Sequence, residues 1–202
     1  MVAKFIRIVM VWALLTPALA AGTPGPLCLA PARAEAVRAA WSGAPGRLLE
    51  VAQREAITEA QLLSVLPPEQ SIGTGGEAFG TVWQSLQAWP ESLTLIERSG
   101  QLFEVLGRIP SGEPSKVSRF FNLGDQSHGL SGHLRPDLVT AIYVTELPGR
   151  GRTEHGVQFI DAAGGVVFGV YVPNEQAAAG NETLAAFRAT RKLVEELPRL
   201  CP

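Results

Sequence analysis

Between residues 92 and 172 the chain runs as a succession of short segments rich in β-branched, aromatic and leucine residues, and this pattern constrains the fold most. Residues 93–97 and 102–106 read as two strands around Arg98-Ser99-Gly100-Gln101, a hairpin turn. Strand-like runs follow at 119–123, 138–146, 156–160 and 166–172. The last two flank Asp161-Ala162-Ala163-Gly164-Gly165, a second hairpin turn. At least six strands joined by short turns, with no helix between them, form a largely antiparallel sheet.

Helical patterns lie on either side of this block. Residues 31–41 are Ala-rich and helix-prone, and 42–46 break them. A second helix is expected over 47–55. A third starts at Thr58, which makes a capping box with Gln61, presents Leu62, Leu63 and Leu66, and stops at Pro67-Pro68. Gly73-Thr74-Gly75-Gly76 reads as a plain loop, because it lacks the Lys-Ser/Thr of a P-loop and does not match the dinucleotide fingerprint. Residues 77–89 place Phe79, Val82, Trp83 and Leu86 at helical spacing. Asn181 caps a final helix with Leu184, Phe187, Val194 and Leu197 on one face. The expected class is α+β: a largely antiparallel β-sheet with N-terminal helices and a C-terminal helix. The short second and third helices do not make a DNA reader, since the third offers base edges only Gln61.

The N-terminus reads as a secretory signal peptide over 1–20. Lys4 and Arg7 precede a short apolar run, and Ala18 and Ala20 form an Ala-x-Ala cleavage pattern, with the cut after Ala20. The apolar run is too short to span a bilayer, and Leu27 before Cys28 argues against lipid attachment there. The expected location is therefore periplasmic or secreted, with 21–29 a flexible mature tail and 30–202 a single domain. The whole chain carries 17 Lys and Arg against 19 Asp and Glu. Loss of Lys4 and Arg7 makes the mature chain more acidic still, so it has no electrostatic footprint for nucleic acid. Cys28 and Cys201, one near each mature end and without a Cys-x-x-Cys motif, pair most simply as a structural disulfide.

Candidate chemistry gathers at 119–134. Two of the chain's three histidines, His128 and His133, lie in a polar, turn-rich segment between two strand-like runs. A sheet fixes the ends of such a loop while the loop carries the ligand-binding groups. Met1 and Met10 both fall in the expected signal peptide, so a bound metal takes His, Tyr143, Tyr171 or Cys. His133 is the candidate metal ligand and His128 a second one; either can equally be a loop histidine bonding a carbonyl. His155 reads as a surface residue. Arg119, Arg135 and Arg152 are candidate partners of anionic groups, or solvated surface guanidinia. Two histidines alone do not close a zinc site. Gly129-Leu130-Ser131-Gly132 is not a nucleophile elbow, and no His-Glu-x-x-His motif is present.

Taken in order, several short motifs resemble the haem-utilisation carrier family of the ChuX/HutX type. They are Leu48-Leu49-Glu50-Val51-Ala52, Val65-Leu66-Pro67, Phe79-x-x-Val82-Trp83, Glu104, Phe121-Asn122-Leu123, His128-Gly129-x-Ser131-Gly132-His133-Leu134, Val157-Gln158-Phe159 and Phe168-x-Val170-Tyr171-Val172. The resemblance implies haem bound as cargo in a cleft of a curved sheet, a homodimer, and a role in haem transfer after uptake. It favours His133 as the axial ligand; His128 is a further candidate, and Arg119, Arg135 and Arg152 are candidates to pair with the propionates.

The chain departs from the family pattern in its signal peptide, at Glu97-Arg98 where one member type has a His, at Gly169 where a basic residue is common, at Pro173-Asn174-Glu175 in place of a Gly-Arg-Asp-like end, and at Gly149-Arg150 where an aromatic stands. The leading expectation is a non-enzymatic haem carrier working outside the cytoplasm, with a haem donor or acceptor protein as partner. Two alternatives remain: a haem-modifying enzyme, and a diverged interaction module that has lost haem.

Overall fold

The computed structural model describes residues 27–98, 100–124, 129–149, 151–173 and 181–201. The expected signal peptide, His128 and part of the first hairpin turn lie outside the described residues. The elements in order are α1 (Pro31–Gly43), α2 (Leu48–Arg54), α3 (Glu59–Val65), β1 (Ser71–Gly75), α4 (Phe79–Leu86), β2 (Ser92–Arg98) and β3 (Gln101–Gly107). They continue with β4 (Gly112–Pro114), β5 (Phe121–Leu123), β6 (Gly132–Leu134), β7 (Val139–Pro148), β8 (Thr153–Asp161), β9 (Val166–Tyr171) and α5 (Glu182–Glu195).

The architecture is α+β, as expected, but the strands divide into two sheets. Six form an antiparallel sheet in the order β1-β7-β8-β9-β2-β3, and three short ones form a second sheet, β4-β5-β6. The glycine-rich run read as a loop is strand β1: Gly73 lies opposite Tyr143 of β7. A Cβ at Gly73 would come within 2.4 Å of the Tyr143 ring, so glycine here lets a buried aromatic lie against the strand.

Side chains alternate between the two faces of the large sheet. Ile142, Val144, Val157, Phe159, Phe168 and Val170 face the core under α4 and α5. Trp83 stacks on Phe79 there, with ring centroids 5.6 Å apart, and its Nε1–H donates to Pro110 O at 3.1 Å. Trp89 Nε1–H donates to Thr190 Oγ1 at 3.0 Å. Both buried indoles thus have their one polar group satisfied. The opposite face packs Ala141, Tyr143, Leu147 and Ile160 against α1–α3. The capping box at α3 forms as read: Thr58 Oγ1 accepts from Gln61 N–H and Gln61 Oε1 accepts from Thr58 N–H.

Of the tail expected over 21–29, residues 21–26 lie outside the described residues and 27–29 are described. Leu27 and Leu29 pack against the second core, and Leu29 N–H donates to Ser64 Oγ. Cys28 is disulfide-bonded to Cys201, with Cα atoms 5.8 Å apart. Leu200 N–H donates to Gly73 O at 3.1 Å and Thr74 Oγ1–H to Pro198 O at 2.9 Å, so the C-terminal residues lie along the β1 edge. No helix among the described residues is long and apolar enough to cross a membrane.

Candidate functional site

The small sheet carries the sequence-predicted ligands. In β5 and β6, Phe121 and Leu134 turn inward and pack on the main core, whereas Asn122 and His133, directly opposed in register, turn outward. His133 Nδ1 lies 2.9 Å from Asn122 Oδ1. An amide oxygen is only an acceptor, so this contact selects the Nδ1–H tautomer and leaves the Nε2 lone pair unused. The His133 ring is exposed and 5.7 Å from the ring of Phe120, itself 41% exposed.

Two guanidinia complete the face. Arg135 sits over the Phe120 ring, 5.8 Å from its centroid, and donates through Nε and Nη2 to the two oxygens of Asp137, each at 2.7 Å. Arg119 approaches the same carboxylate at 3.7 Å. The Arg135 hydrogen bonds, and then its charge, hold the Asp137 carboxyl below its ordinary range. The structure therefore brings His133, Arg119 and Arg135 together around Phe120. Asn122 and Phe120, which sequence reasoning did not single out as site residues, are the ones that orient them.

The other expected residues lie elsewhere. Arg152 lines a separate cleft on the opposite face of the large sheet, and His133 does not reach it. His155 is only half-buried rather than on the surface: its ring meets Phe187 edge-on at 5.1 Å, and Nε2 is 3.5 Å from Glu146 Oε2. Burial pulls its pKa down, against the pull of Glu146 in the other direction. Tyr143 is buried beneath the N-terminal helices, and burial raises its pKa. Burial likewise pushes Tyr171 up to about 12. Neither phenol is thus poised to ionise and serve as a tyrosinate ligand near neutral pH.

The cleft measures about 780 Å³ and lies between α2, through Leu48, Leu49 and Glu50, and strands β8, β9, β2 and β3. On its floor the Tyr171 ring lies against Gly156 and Gly169, where a Cβ would come within 2.6 and 2.5 Å of it. The Tyr171 hydroxyl pairs with the Gln158 amide at 2.7 and 3.1 Å.

The family model for haem utilisation ChuX/HutX matches residues 74–190. The chain belongs to this family. Among its relatives is the intracellular haem transport protein HutX of Vibrio cholerae, 28% identical over 144 residues, covering 70% of this chain and 73% of that one. The haem-binding protein ChuX has a similar structure, with a TM-score of 0.69 at 24% identity, covering 81% of this chain and 99% of that one. Haem-bound PhuS of Pseudomonas aeruginosa matches at a TM-score of 0.66 and 14% identity, covering 86% of this chain but 49% of its own length. The V. cholerae relative overturns the expectation of a periplasmic or secreted protein, because it works inside the cell.

Proposed function

We propose that this protein binds haem as cargo and passes it on intact, with His133 as the axial ligand. The observation that carries this reading is the contact between His133 Nδ1 and Asn122 Oδ1. A metal-binding imidazole whose second nitrogen is held by an acceptor is fixed in ring orientation and tautomer, and is made more basic. Here the outward Nε2 is the nitrogen left for iron. The surrounding residues fit the remaining needs of haem. Phe120 offers an apolar face to the porphyrin, and Arg119, 81% exposed along its side chain, offers a cation to a propionate. Arg135 is already engaged bidentately by Asp137, so it supports Arg119 more than it competes for the ligand. An exposed site with a single protein ligand suits a carrier, because an acceptor protein can reach the haem.

A second copy of the chain is proposed along β3. Among the described residues this edge strand pairs only with β2, and Leu102, Phe103 and Leu106 are 48%, 59% and 59% exposed on it. Such an edge invites a partner strand. Sedimentation velocity tests this: the wild type is expected to sediment as a dimer and Phe103→Lys as a monomer, and a monomeric wild type would overturn the assembly.

The haem reading is tested by hemin titration of the full chain, followed in the Soret band. One-to-one saturation, lost or spectrally altered in His133→Ala, is the expected result. Reduction followed by reoxidation with ferricyanide should return the original ferric haem spectrum; an open-ring product would instead point to an enzyme.

A further inference from the structure

The connection between β4 and β5 ends in a tip whose outermost residues have no part in either core or in the haem proposal. Residues 116–120, Lys116-Val117-Ser118-Arg119-Phe120, are all exposed. Val117 keeps 95% of its surface in solvent, more than any other exposed large apolar residue described. The turn that presents it is closed by its own hydrogen bonds. Ser115 N–H donates to Phe120 O at 2.7 Å, Val117 N–H to Ser115 Oγ at 3.3 Å and Phe120 N–H to Ser118 Oγ at 3.3 Å. Val117 is therefore held outward before any partner arrives, which lowers the ordering cost of contact.

Charge surrounds this apolar apex. Lys116 precedes Val117 and Arg119 follows Ser118, and residues 115–120 contain no acid; the nearest in sequence is Glu113 in β4. Arg119 is 81% exposed along its side chain and reaches Asp137 at 3.7 Å, so the tip lies beside the 136–138 turn. Arg135 already neutralises Asp137 through two hydrogen bonds, and Leu138 next to it is 54% exposed. A chain with formal charge −2 thus has one end where cations outnumber free carboxylates around exposed apolar side chains. The pattern is an apolar apex with long cationic side chains set just behind it. In a bilayer interface the apex enters the acyl boundary and the cations stay at the depth of the phosphates. A protein partner would need roughly 800 Å² of complementary surface from each side, and a six-residue turn offers far less. A lipid surface requires no such complementarity.

We propose that this tip docks the protein on an anionic lipid surface. Val117 inserts, and Lys116 and Arg119 meet lipid phosphates. The inference does not depend on where haem binds.

The test places an environment-sensitive NBD dye on Ser118→Cys in the full chain, with vesicles of equal parts phosphatidylcholine and phosphatidylglycerol. The described cysteines are disulfide-bonded, so the new thiol takes the label. The dye reports on the tip alone, so attachment through another segment leaves it unshifted. A saturable blue shift is expected with the anionic vesicles, weakened by added salt and absent with pure phosphatidylcholine. Lys116→Gln should raise the lipid needed for half the shift about fivefold, the loss of one cation at the surface, and Val117→Asp should abolish the shift. Both side chains are exposed, so the fold should be unaffected, and hemin binding should be unchanged in both variants. No shift with anionic vesicles would overturn the proposal and leave the tip to an acidic protein. An equal shift with pure phosphatidylcholine, or a full shift retained in Val117→Asp and Lys116→Gln, would overturn it too.

Discussion

The disulfide between Cys28 and Cys201 closes a loop with a sequence separation of 173. In the chain-entropy description, cross-linking a loop of that size removes about 5 kcal/mol of freedom from the unfolded chain, which is an upper figure because native strain and residual structure subtract from it. The folded state gives little of this back. Leu27, Leu29 and Leu200 remain packed on the second core without the covalent bond, and Leu200 N–H still has Gly73 O. For a domain of this size, 1 kcal/mol corresponds to about 2–4 °C in melting temperature. The Cys28→Ser/Cys201→Ser variant, followed by circular dichroism, should therefore melt lower than the oxidised protein by up to about 10–20 °C, and reductant should bring the wild type to the same value. Bridges of this kind are scarce in reducing compartments, so the reduced melting temperature is the one relevant inside a cell. A shift under about 2 °C would show that the loop is already closed by packing in the unfolded ensemble, and would refute the entropic reasoning.

Other substitutions test the packing. Thr190→Val removes the acceptor of the Trp89 indole N–H in a buried setting and should cost about 1–3 kcal/mol in urea unfolding. Gly169→Ala would place a Cβ 2.5 Å from the Tyr171 ring and 2.7 Å from Gln158 Oε1, and should destabilise by about 1–3 kcal/mol as an overpacked site. His155 is held below its ordinary pKa of 6.5 by burial. Its contribution to stability is therefore complete above that value and declines as pH falls from there toward the folded pKa, where the unfolded chain binds the extra proton. Urea midpoints between pH 7.5 and 5.5 should fall less steeply in His155→Gln than in the wild type.

Much of the architecture was legible because local signals and burial agreed. The Thr58–Gln61 capping box is a pattern of immediate neighbours, and it forms. The hairpin turn at Asp161 was equally local: its Oδ1 accepts from Ala163 and Gly165 N–H, and Gly164 takes φ +82°. Features set by distant partners were not legible. Gly73 and Gly75 read as a loop because glycine disfavours strands, yet pairing with β7 and the space taken by Tyr143 outweigh that preference. Strand β4, Gly112–Pro114, has no strand signature and exists because β5 offers it an edge. The candidate site divides in the same way. His133, Arg119 and Arg135 could be named from residue type and neighbourhood, whereas the role of Asn122 depends on the β5–β6 register. The platform of Tyr171 shows in sequence only as Gly156-x-Gln158 and Gly169-x-Tyr171 on alternating positions, a pattern that means nothing until Gly156 is placed opposite Tyr171.

The central claim is that His133, held by Asn122, ligates the haem iron. The most direct measurement is the rate of hemin transfer from the loaded protein to an excess of a tighter-binding acceptor, for wild type, Asn122→Leu and His133→Ala. Removing a group that orients a metal ligand costs about 10–100-fold in affinity, and the exposure of this pair puts Asn122→Leu near the lower end. The account predicts hemin loss about tenfold faster in Asn122→Leu and faster again in His133→Ala, with the Soret band altered only in the latter. Equal rates and identical spectra in all three proteins would contradict it.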